Sequence, residues 1–300
     1  MKIGIVTDTS CNFTPEQAEE LGIHLVPLDI IFKDRTYVDA FEMTTEEFYK
    51  KMSELDGLPT TSQPAIGEFI KVYKEIIEDY DQIISIHLSG DLSGTVSTAK
   101  MAAKQVDSEK IKVYDTKLVS ILSKYLVLEA KRLVEQGEAF EQIIERLDDA
   151  KPKSIAYIVI ESLDNAIKGG RVPKIAGKIT EMAQIKAIFK VSNNGIELER
   201  VIRTSKRAYK SLEKKVYDYI DSLDYPVIVE IAHGDIHETA EAFKERLLVK
   251  YPDQEGHIHR LTGVIGVHSG PKIIGLTITP DYLQMENHGL SNRSLNSSSL

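Results

Sequence analysis

Short apolar runs and longer stretches of helical spacing alternate along the first half of the chain. Apolar residues that recur every three or four positions predict helices there, most clearly over residues 64–79 and 117–135. Four short apolar runs between such stretches predict strands: residues 2–7, 25–32, 82–88 and 111–116. Strands that alternate with helices of this length favour an α/β fold, with a parallel sheet covered by helices on both faces.

The alternation changes after Lys151-Pro152-Lys153, so we expect a first domain over residues 1–153 and a second one from residue 154. In that second part, two apolar runs flank Asn193-Asn194-Gly195, a pattern typical of a β-hairpin. The elements that follow predict an α+β domain over residues 154–282. Residues 283–300 are rich in Ser and Asn and offer little to bury, which predicts a disordered tail.

Composition narrows the class of protein. With 300 residues, 42% of them hydrophobic, the chain is long enough for two cores. Its net charge of −9 argues against electrostatic binding to nucleic acid or to an anionic membrane. The sequence has no apolar run near 18 residues and no apparent leader, and the single Cys11 cannot form an internal disulfide. We therefore expect a cytoplasmic monomer with no membrane span, in which Cys11 is a buried thiol rather than a nucleophile.

Two loops rich in hydroxyl groups are candidates for ligand binding. Residues 59–64, Pro-Thr-Thr-Ser-Gln-Pro, precede a predicted helix, whose entrance suits an anion; simple capping is the alternative. Residues 89–95, Ser-Gly-Asp-Leu-Ser-Gly-Thr, join a strand to a helix at the edge where open α/β sheets bind ligands; a capped loop is the alternative. Neither loop matches a Walker or dinucleotide motif, so nucleotide binding by those routes is unsupported.

Histidine pairs suggest a competing function, a metal-dependent hydrolase of a small substrate. The candidate ligands are the imidazoles of His233 and His237, in the run His-Gly-Asp-Ile-His, together with those of His257 and His259. Metal ligation usually needs three converging ligands with a supported second shell, which spacing alone does not provide. A phosphatase that uses Asp8 is also weakly supported, because the second aspartate of an Asp-x-Asp loop is absent. We therefore expect no metal site.

The two hydroxyl loops belong to a longer series of motifs. Together with residues 7–10, 168–171, 203–208 and 266–271, they resemble in order and spacing the DegV family of bacterial fatty-acid-binding proteins. The resemblance extends from residue 1 to about residue 280. It implies a long-chain fatty acid held between an α/β and an α+β domain, with no other cofactor. Some members of the family resemble the acyl-carrier component of bacterial fatty acid kinase, a non-catalytic subunit that presents the carboxylate to a separate kinase subunit for acyl phosphate formation.

The resemblance also implies roles for individual residues. Hydrogen bonds to the carboxylate would come from Thr61, Ser62, Ser93 and Gly94, while His268 would lie near the head group or serve a structural role. Hydroxyl and backbone donors of this kind can replace the hydration of a buried carboxylate. Four basic residues would form a docking patch for the kinase or, alternatively, an ordinary solvated surface: Arg171, Arg203, Lys206 and Arg207.

The chain departs from the family pattern at two places. Ala187 stands where the family more often has proline, and Lys272-Ile273-Ile274 stand where it more often has Gly-Ala-Leu. We expect the two isoleucines to reshape the wall of the ligand cavity without affecting the head-group motifs.

Overall fold

Strands and helices alternate through the first half of the molecule, as the apolar pattern predicted. The computed structural model describes residues 1–54, 57–171 and 185–287. The strands of the first half are β1 (Ile3–Asp8), β2 (Ile23–Val26), β3 (Asp29–Ile31), β4 (Thr36–Val38), β5 (Thr60–Ser62), β6 (Gln82–His87) and β7 (Ile111–Asp115). The helices are α1 (Pro15–Glu20), α2 (Thr45–Glu54), α3 (Ile66–Ile76), α4 (Thr95–Val106), α5 (Ile121–Glu135) and α6 (Phe140–Lys153).

A parallel sheet in the order β2-β1-β6-β7 forms the centre of this half. Successive side chains of a strand point to opposite faces. Ile3 and Ile5 of β1 therefore pack on one side, in the cluster that contains residues of α5 and α6. Val6 packs on the other side with residues of α3 and α4. Helices thus cover both faces of the sheet, which confirms the predicted α/β architecture.

Local backbone geometry explains two departures from the predicted elements. Helix α5 starts at Ile121 rather than at Lys117, because Lys117 and Ser120 have φ values of 55° and 57° in the left-handed region. The hydroxyl segment Thr60–Ser62 is not a helix entrance but a strand, β5, in a small antiparallel sheet of order β4-β3-β5. Helix α3 begins later, and its N-cap residue Ala65 offers no side-chain cap.

The second half contains a larger, mostly antiparallel sheet. Its elements are β8 (Ile155–Ile160), α7 (Asp164–Gly169), β9 (Lys186–Ser192), β10 (Gly195–Ile202), α8 (Ser205–Ile220), β11 (Val227–His233), α9 (His237–Lys250), β12 (Ile258–Arg260), α10 (Gly263–Ser269), β13 (Ile273–Pro280) and α11 (Tyr282–Asn287). The strand order is β10-β9-β8-β13-β11-β12. Strands β9 and β10 form the predicted hairpin, whose turn ends at Gly195 with a φ of 105° that glycine readily adopts. This half is therefore α+β, as expected.

The two faces of the six-stranded sheet have different neighbours. Val159 and Leu276 belong to a core cluster with residues of α8 and α9. Ile160 and Ile273, on the opposite face, pack in a cluster that includes Ile121 at the start of α5. The inner face of the second sheet therefore lies against the first half of the molecule.

The last residues that the structure describes differ from the predicted disordered tail over residues 283–300. Residues 283–287, assigned to a disordered tail, belong to α11, and Glu286 bonds to Arg132 and Arg146 with N–O distances of 2.9–3.0 Å. Charged side chains that pair across elements give this segment partners that its composition does not reveal. Residues 288–300 lie outside the described chain. The division into domains 1–153 and 154–282 stays a prediction.

Candidate functional site

A cavity separates the carboxyl edge of the parallel sheet from the inner face of the six-stranded sheet. Its walls are almost entirely apolar: Leu28, Leu88, Leu92, Val119, Ile121, Leu122, Ala156, Ile158, Ile160, Val191, Ile196, Ala232, Leu261, Val264, Ile265 and Ile273. The space in this cavity that the centre of a water molecule could occupy has a volume of about 190 Å³. One water molecule needs roughly 10–15 Å³ of this space, so the cavity can hold a ligand of many atoms.

Polar groups gather at one part of the cavity wall. Thr61 of β5 and His268 of α10 meet there, with 2.8 Å between Thr61 Oγ1 and His268 Nε2. Ser93 and Gly94, from the loop after β6, line the same cavity. We call Thr61, Ser93, Gly94 and His268 the head-group cluster. The structure thus brings to one cavity four of the five residues that the sequence predicted for carboxylate binding.

Gln63 joins the two loops that supply this cluster. Its Nε2 donates to Thr98 Oγ1 in α4 at 2.7 Å. A Cβ atom added to Gly94 would lie 1.9 Å from Gln63 Oε1, so the amide occupies the space of a side chain at that position. Gln63 lies within the motif of residues 59–64, but the motif alone predicted no role for it. An amide next to the two predicted donor residues was the signal that could have identified it.

Helix α4 begins at the head-group cluster. Gly94 is its N-cap residue, and the first bond into the helix runs from Thr98 N–H to Gly94 O at 3.0 Å. The Ser93 hydroxyl accepts a bond from Thr95 N–H at 3.3 Å and lies 2.9 Å from Thr95 Oγ1. When Thr95 is the donor in that second contact, the Ser93 hydrogen is available to a ligand. Unpaired N–H groups in the first turn of a helix attract negative charge. This end of the cavity therefore suits an anionic group.

His268 is a largely buried imidazole. Burial lowers the pKa of His268 to about 4, and the positive charge of Arg171 acts in the same direction. The ring packs so closely on Gly169 that a Cβ atom there would lie 2.5 Å from His268 Nδ1. Near neutral pH the ring is uncharged, so it can exchange a hydrogen bond with Thr61 but adds no positive charge to the cavity.

Arg171 lies at the cavity rather than with the other predicted docking residues. It lines the wall, and its guanidinium donates to Gly169 O at 2.8 Å and to Leu92 O at 3.3 Å. Arg203, Lys206 and Arg207 are instead exposed, between the end of β10 and the first turn of α8. The position of Arg171 in the cavity wall was missed because its motif grouped it with surface cations.

Two other predictions change with the geometry. Side chains alternate along β5, so Ser62 points away from Thr61, and its hydroxyl donates to Gln63 O at 3.0 Å. We therefore correct the assignment of Ser62 to the head-group contacts. Alternation also separates the two isoleucines of β13: Ile273 lines the cavity, while Ile274 is fully buried in the cluster with α8 and α9. Only Ile273 can shape the cavity wall directly.

Three of the four histidines proposed for a metal site, His237, His257 and His259, lie next to a carboxylate, whereas Nδ1 of His233 has no hydrogen-bond partner among the described residues. Asp235 binds Arg260 at 2.5 Å, His257 lies 2.5 Å from Glu255, and His259 lies 2.8 Å from Glu230. Across residues 1–54, 57–171 and 185–287, no group of three or more His, Cys, Asp or Glu side chains is placed to hold a metal ion. The same residues include no helix that is long and apolar enough to cross a membrane. Cys11 is fully buried, and burial raises the pKa of its thiol.

Comparison with known families agrees with the geometry. The model of a family described as "uncharacterised protein, DegV family" matches residues 2–281. The chain belongs to the DegV family. Protein DegV of Bacillus subtilis is 32% identical over 280 residues, which cover 92% of this chain and 98% of that protein. A DegV domain-containing protein of Listeria innocua is 34% identical over 277 residues, with the same coverage.

Solved structures of DegV proteins share the fold. Bacillus subtilis DegV, described as a fatty acid binding protein, matches with a TM-score of 0.85 at 32% identity and covers 94% of this chain and 100% of its own. A DegV family protein from Thermus thermophilus, whose structure is described in terms of fatty acid binding, also gives a TM-score of 0.85, at 27% identity and with the same coverage. This member of the family therefore shares the fold of those structures.

Proposed function

We propose that this protein binds a long-chain fatty acid in the cavity between its two sheets. The observation that carries the proposal is an extended apolar cavity with hydroxyl and backbone donors gathered at one part of its wall. Burial of each chain methylene contributes about 0.8 kcal/mol, so the apolar walls would supply most of the affinity. The fatty acid binding described for the Bacillus subtilis and Thermus thermophilus relatives supports the same ligand class.

The carboxylate would be held by the head-group cluster. Ser93 can donate its hydroxyl hydrogen, and the first turn of α4 adds backbone N–H groups. If neutral His268 donates its Nε2–H to Thr61, the Thr61 hydroxyl hydrogen is free to point at a carboxylate oxygen. Arg171 adds positive charge at the same wall. Donors to a buried carboxylate replace its lost hydration, which is the condition for placing it there.

The test of the ligand class is direct. Purified protein is denatured and extracted, and the released material is identified by mass spectrometry; the delipidated protein is then titrated with palmitic and oleic acid. We expect a long-chain fatty acid in the extract and saturable binding in the titration. An empty extract together with no uptake of either acid would refute the proposal.

We further propose that the bound acid is presented to a separate kinase subunit, which converts its carboxylate to an acyl phosphate. The exposed cations Arg203, Lys206 and Arg207 support this role, because they give an acidic protein a positive surface that suits a partner with bound nucleotide. Acid-loaded protein is mixed with the kinase subunit and ATP, and acyl phosphate is measured. Replacing all three cations by alanine should slow formation without weakening fatty acid binding, whereas Lys214→Ala on the same helix should not. Equal rates in the triple variant and the wild type would contradict the docking role.

A further inference from the structure

The first turn of α5 forms part of the cavity wall on the loop after β7. Ser120, Ile121 and Leu122 all line the cavity there. Ser120 is only 8% exposed, and its Oγ has no hydrogen-bond partner among the described residues. It is the N-cap residue of α5, yet its side chain does not cap the helix. A buried hydroxyl with no protein partner therefore lies in the wall of the cavity, beside the apolar Ile121 and Leu122.

The backbone at the start of α5 also has N–H groups without a hydrogen-bond acceptor in the helix. The first bond into α5 runs from Lys124 N–H to Ser120 O at 2.9 Å. The N–H groups that precede Lys124 in the first turn have no acceptor within the helix. Because α5 is 15 residues long, its N-terminus carries a partial positive charge of about half an elementary charge. Both the hydroxyl and the helix end would be satisfied by an oxygen atom inside the cavity.

Other hydroxyl groups of the wall are already engaged. Ser269 Oγ donates to Gly270 O at 3.3 Å, and Thr277 Oγ1 donates to Glu230 O at 3.4 Å. An unpaired buried hydroxyl costs about 1–3 kcal/mol, so native proteins usually provide it with a partner from the protein, from ordered water or from a ligand. Ser120 differs from its neighbours in the cavity in lacking a protein partner.

We propose that Ser120 and the N-terminus of α5 form a second polar subsite, which binds an oxygen substituent, a hydroxyl or keto group, on the chain of the bound acid. The inference rests on the proposed fatty acid function. The subsite uses other residues than the head-group cluster, because Ser120 lies on the loop between β7 and α5, whereas the cluster comes from β5, α10 and the loop between β6 and α4. A neutral oxygen fits this subsite better than a carboxylate does, because the head-group cluster and Arg171 already supply the carboxylate with donors and positive charge.

The test compares stearic acid with monohydroxystearic acids that carry the hydroxyl at different positions along the chain. Delipidated protein is titrated with each acid, and the ratio of the stearic acid Kd to the hydroxy acid Kd is recorded. We expect at least one isomer to give a ratio of about 2–10 in the wild type, the contribution of one net hydrogen bond. Ser120→Ala should reduce that ratio to about one.

Two further variants make the result specific. Ser120→Gly also removes the hydroxyl, and it relaxes the positive φ, so it replaces Ser120→Ala if that variant fails to fold. Ser269→Ala removes an equally buried cavity hydroxyl that already has a partner, and it should preserve the ratio.

Three other results of the titrations would overturn the subsite, and one of them would also overturn the proposed function. A wild-type ratio of one or less for every isomer would overturn the subsite and leave Ser120 with a water partner only, while normal binding of stearic acid would leave the proposed function standing. A raised ratio that survives in both Ser120 variants would also overturn it. No binding of any acid would overturn the proposed function and the subsite together.

Discussion

Two polar clusters near the carboxyl ends of strands in the parallel sheet contain similar chemical groups but use their hydrogen bonds differently. In the first, which we call the sealed network, His87 Nδ1 lies 2.8 Å from Asp8 Oδ2, and His87 Nε2 lies 2.7 Å from Ser85 Oγ. Ser85 Oγ in turn lies 2.7 Å from Tyr73 OH. Asp8, Ser85, His87 and Tyr73 are fully buried. Every member has a partner, so nothing is left for a ligand.

The head-group cluster has unused capacity instead. The Ser93 hydroxyl can give its hydrogen to a ligand when Thr95 Oγ1 is the donor between the two hydroxyl groups. Gly94 begins a helix whose first N–H groups lack intrahelical partners, and the cluster faces a cavity. A histidine beside hydroxyl groups therefore does not identify a binding site by itself. The difference between the two clusters lies in whether the hydrogen bonds are complete within the protein.

The largest effect is expected from substitutions in the head-group cluster, which should weaken fatty acid binding. Thr61→Ala combined with Ser93→Ala removes two donors to the carboxylate, each worth about 1.5–3 kcal/mol, so fatty acid affinity should fall by about a hundredfold or more. Titration of the delipidated protein measures it. Ser62→Ala, on the opposite face of β5, is the matched control and should bind as the wild type does. Unchanged affinity in the double variant would refute the head-group assignment.

Substitutions in the sealed network should instead lower the free energy of unfolding. Asp8→Ala leaves His87 Nδ1 without its partner in a fully buried site, and breaking a buried pair costs about 3–5 kcal/mol. Urea unfolding should show this loss. Asp8→Asn, which keeps the size and some of the hydrogen bonds, should lose less. A loss below about 1 kcal/mol in Asp8→Ala would show that the network is not a stabilising unit.

The pH dependence of stability distinguishes His268 from a charged site histidine. Its pKa is lowered to about 4 by burial, below the usual 6.5, so the folded state binds fewer protons than the unfolded state between these values. Stability is therefore complete above about pH 6.5 and falls as the pH drops towards 4, by at most about 3 kcal/mol. Urea unfolding at several pH values measures the loss. His268→Gln should remove this part of the dependence, and identical pH profiles for the two proteins would contradict the prediction.

A smaller effect is expected where the two loops of the head-group cluster touch. Gly94→Ala would place a Cβ atom against Gln63 Oε1, so the Gln63 amide must move and its bond to Thr98 must change. Because the amide is the end of a flexible side chain, we expect affinity for a fatty acid to fall only by about two- to tenfold, the contribution of one net hydrogen bond. Gly67→Ala, at an open position on α3, is the control. Normal binding by Gly94→Ala would show that the contact between the loops is not needed.

What the sequence predicted, and what it missed, follows from the range of the interactions involved. The hairpin at Asn193-Asn194-Gly195 was predictable because a turn with a positive φ is encoded by adjacent residues. The outward direction of Ser62 depends on the pairing of β5 with β3, which no local pattern shows. Likewise, Glu286 is held by Arg132 and Arg146, more than a hundred residues earlier in the chain. Motifs identified the loops of the site, but only tertiary contacts decided which side chains face the cavity.

Strand β13 is the last strand of the chain, yet it lies at the centre of its sheet, between β8 and β11. During synthesis, the parallel sheet can form as soon as its own residues have left the ribosome, because domains fold as units from the N-terminus. The second sheet cannot close until Pro280 has emerged. Until then the inner edges of β8 and β11 are unpaired, and the lipid cavity lacks one wall. The nascent chain therefore passes through a late stage in which its exposed strand edges need protection from aggregation.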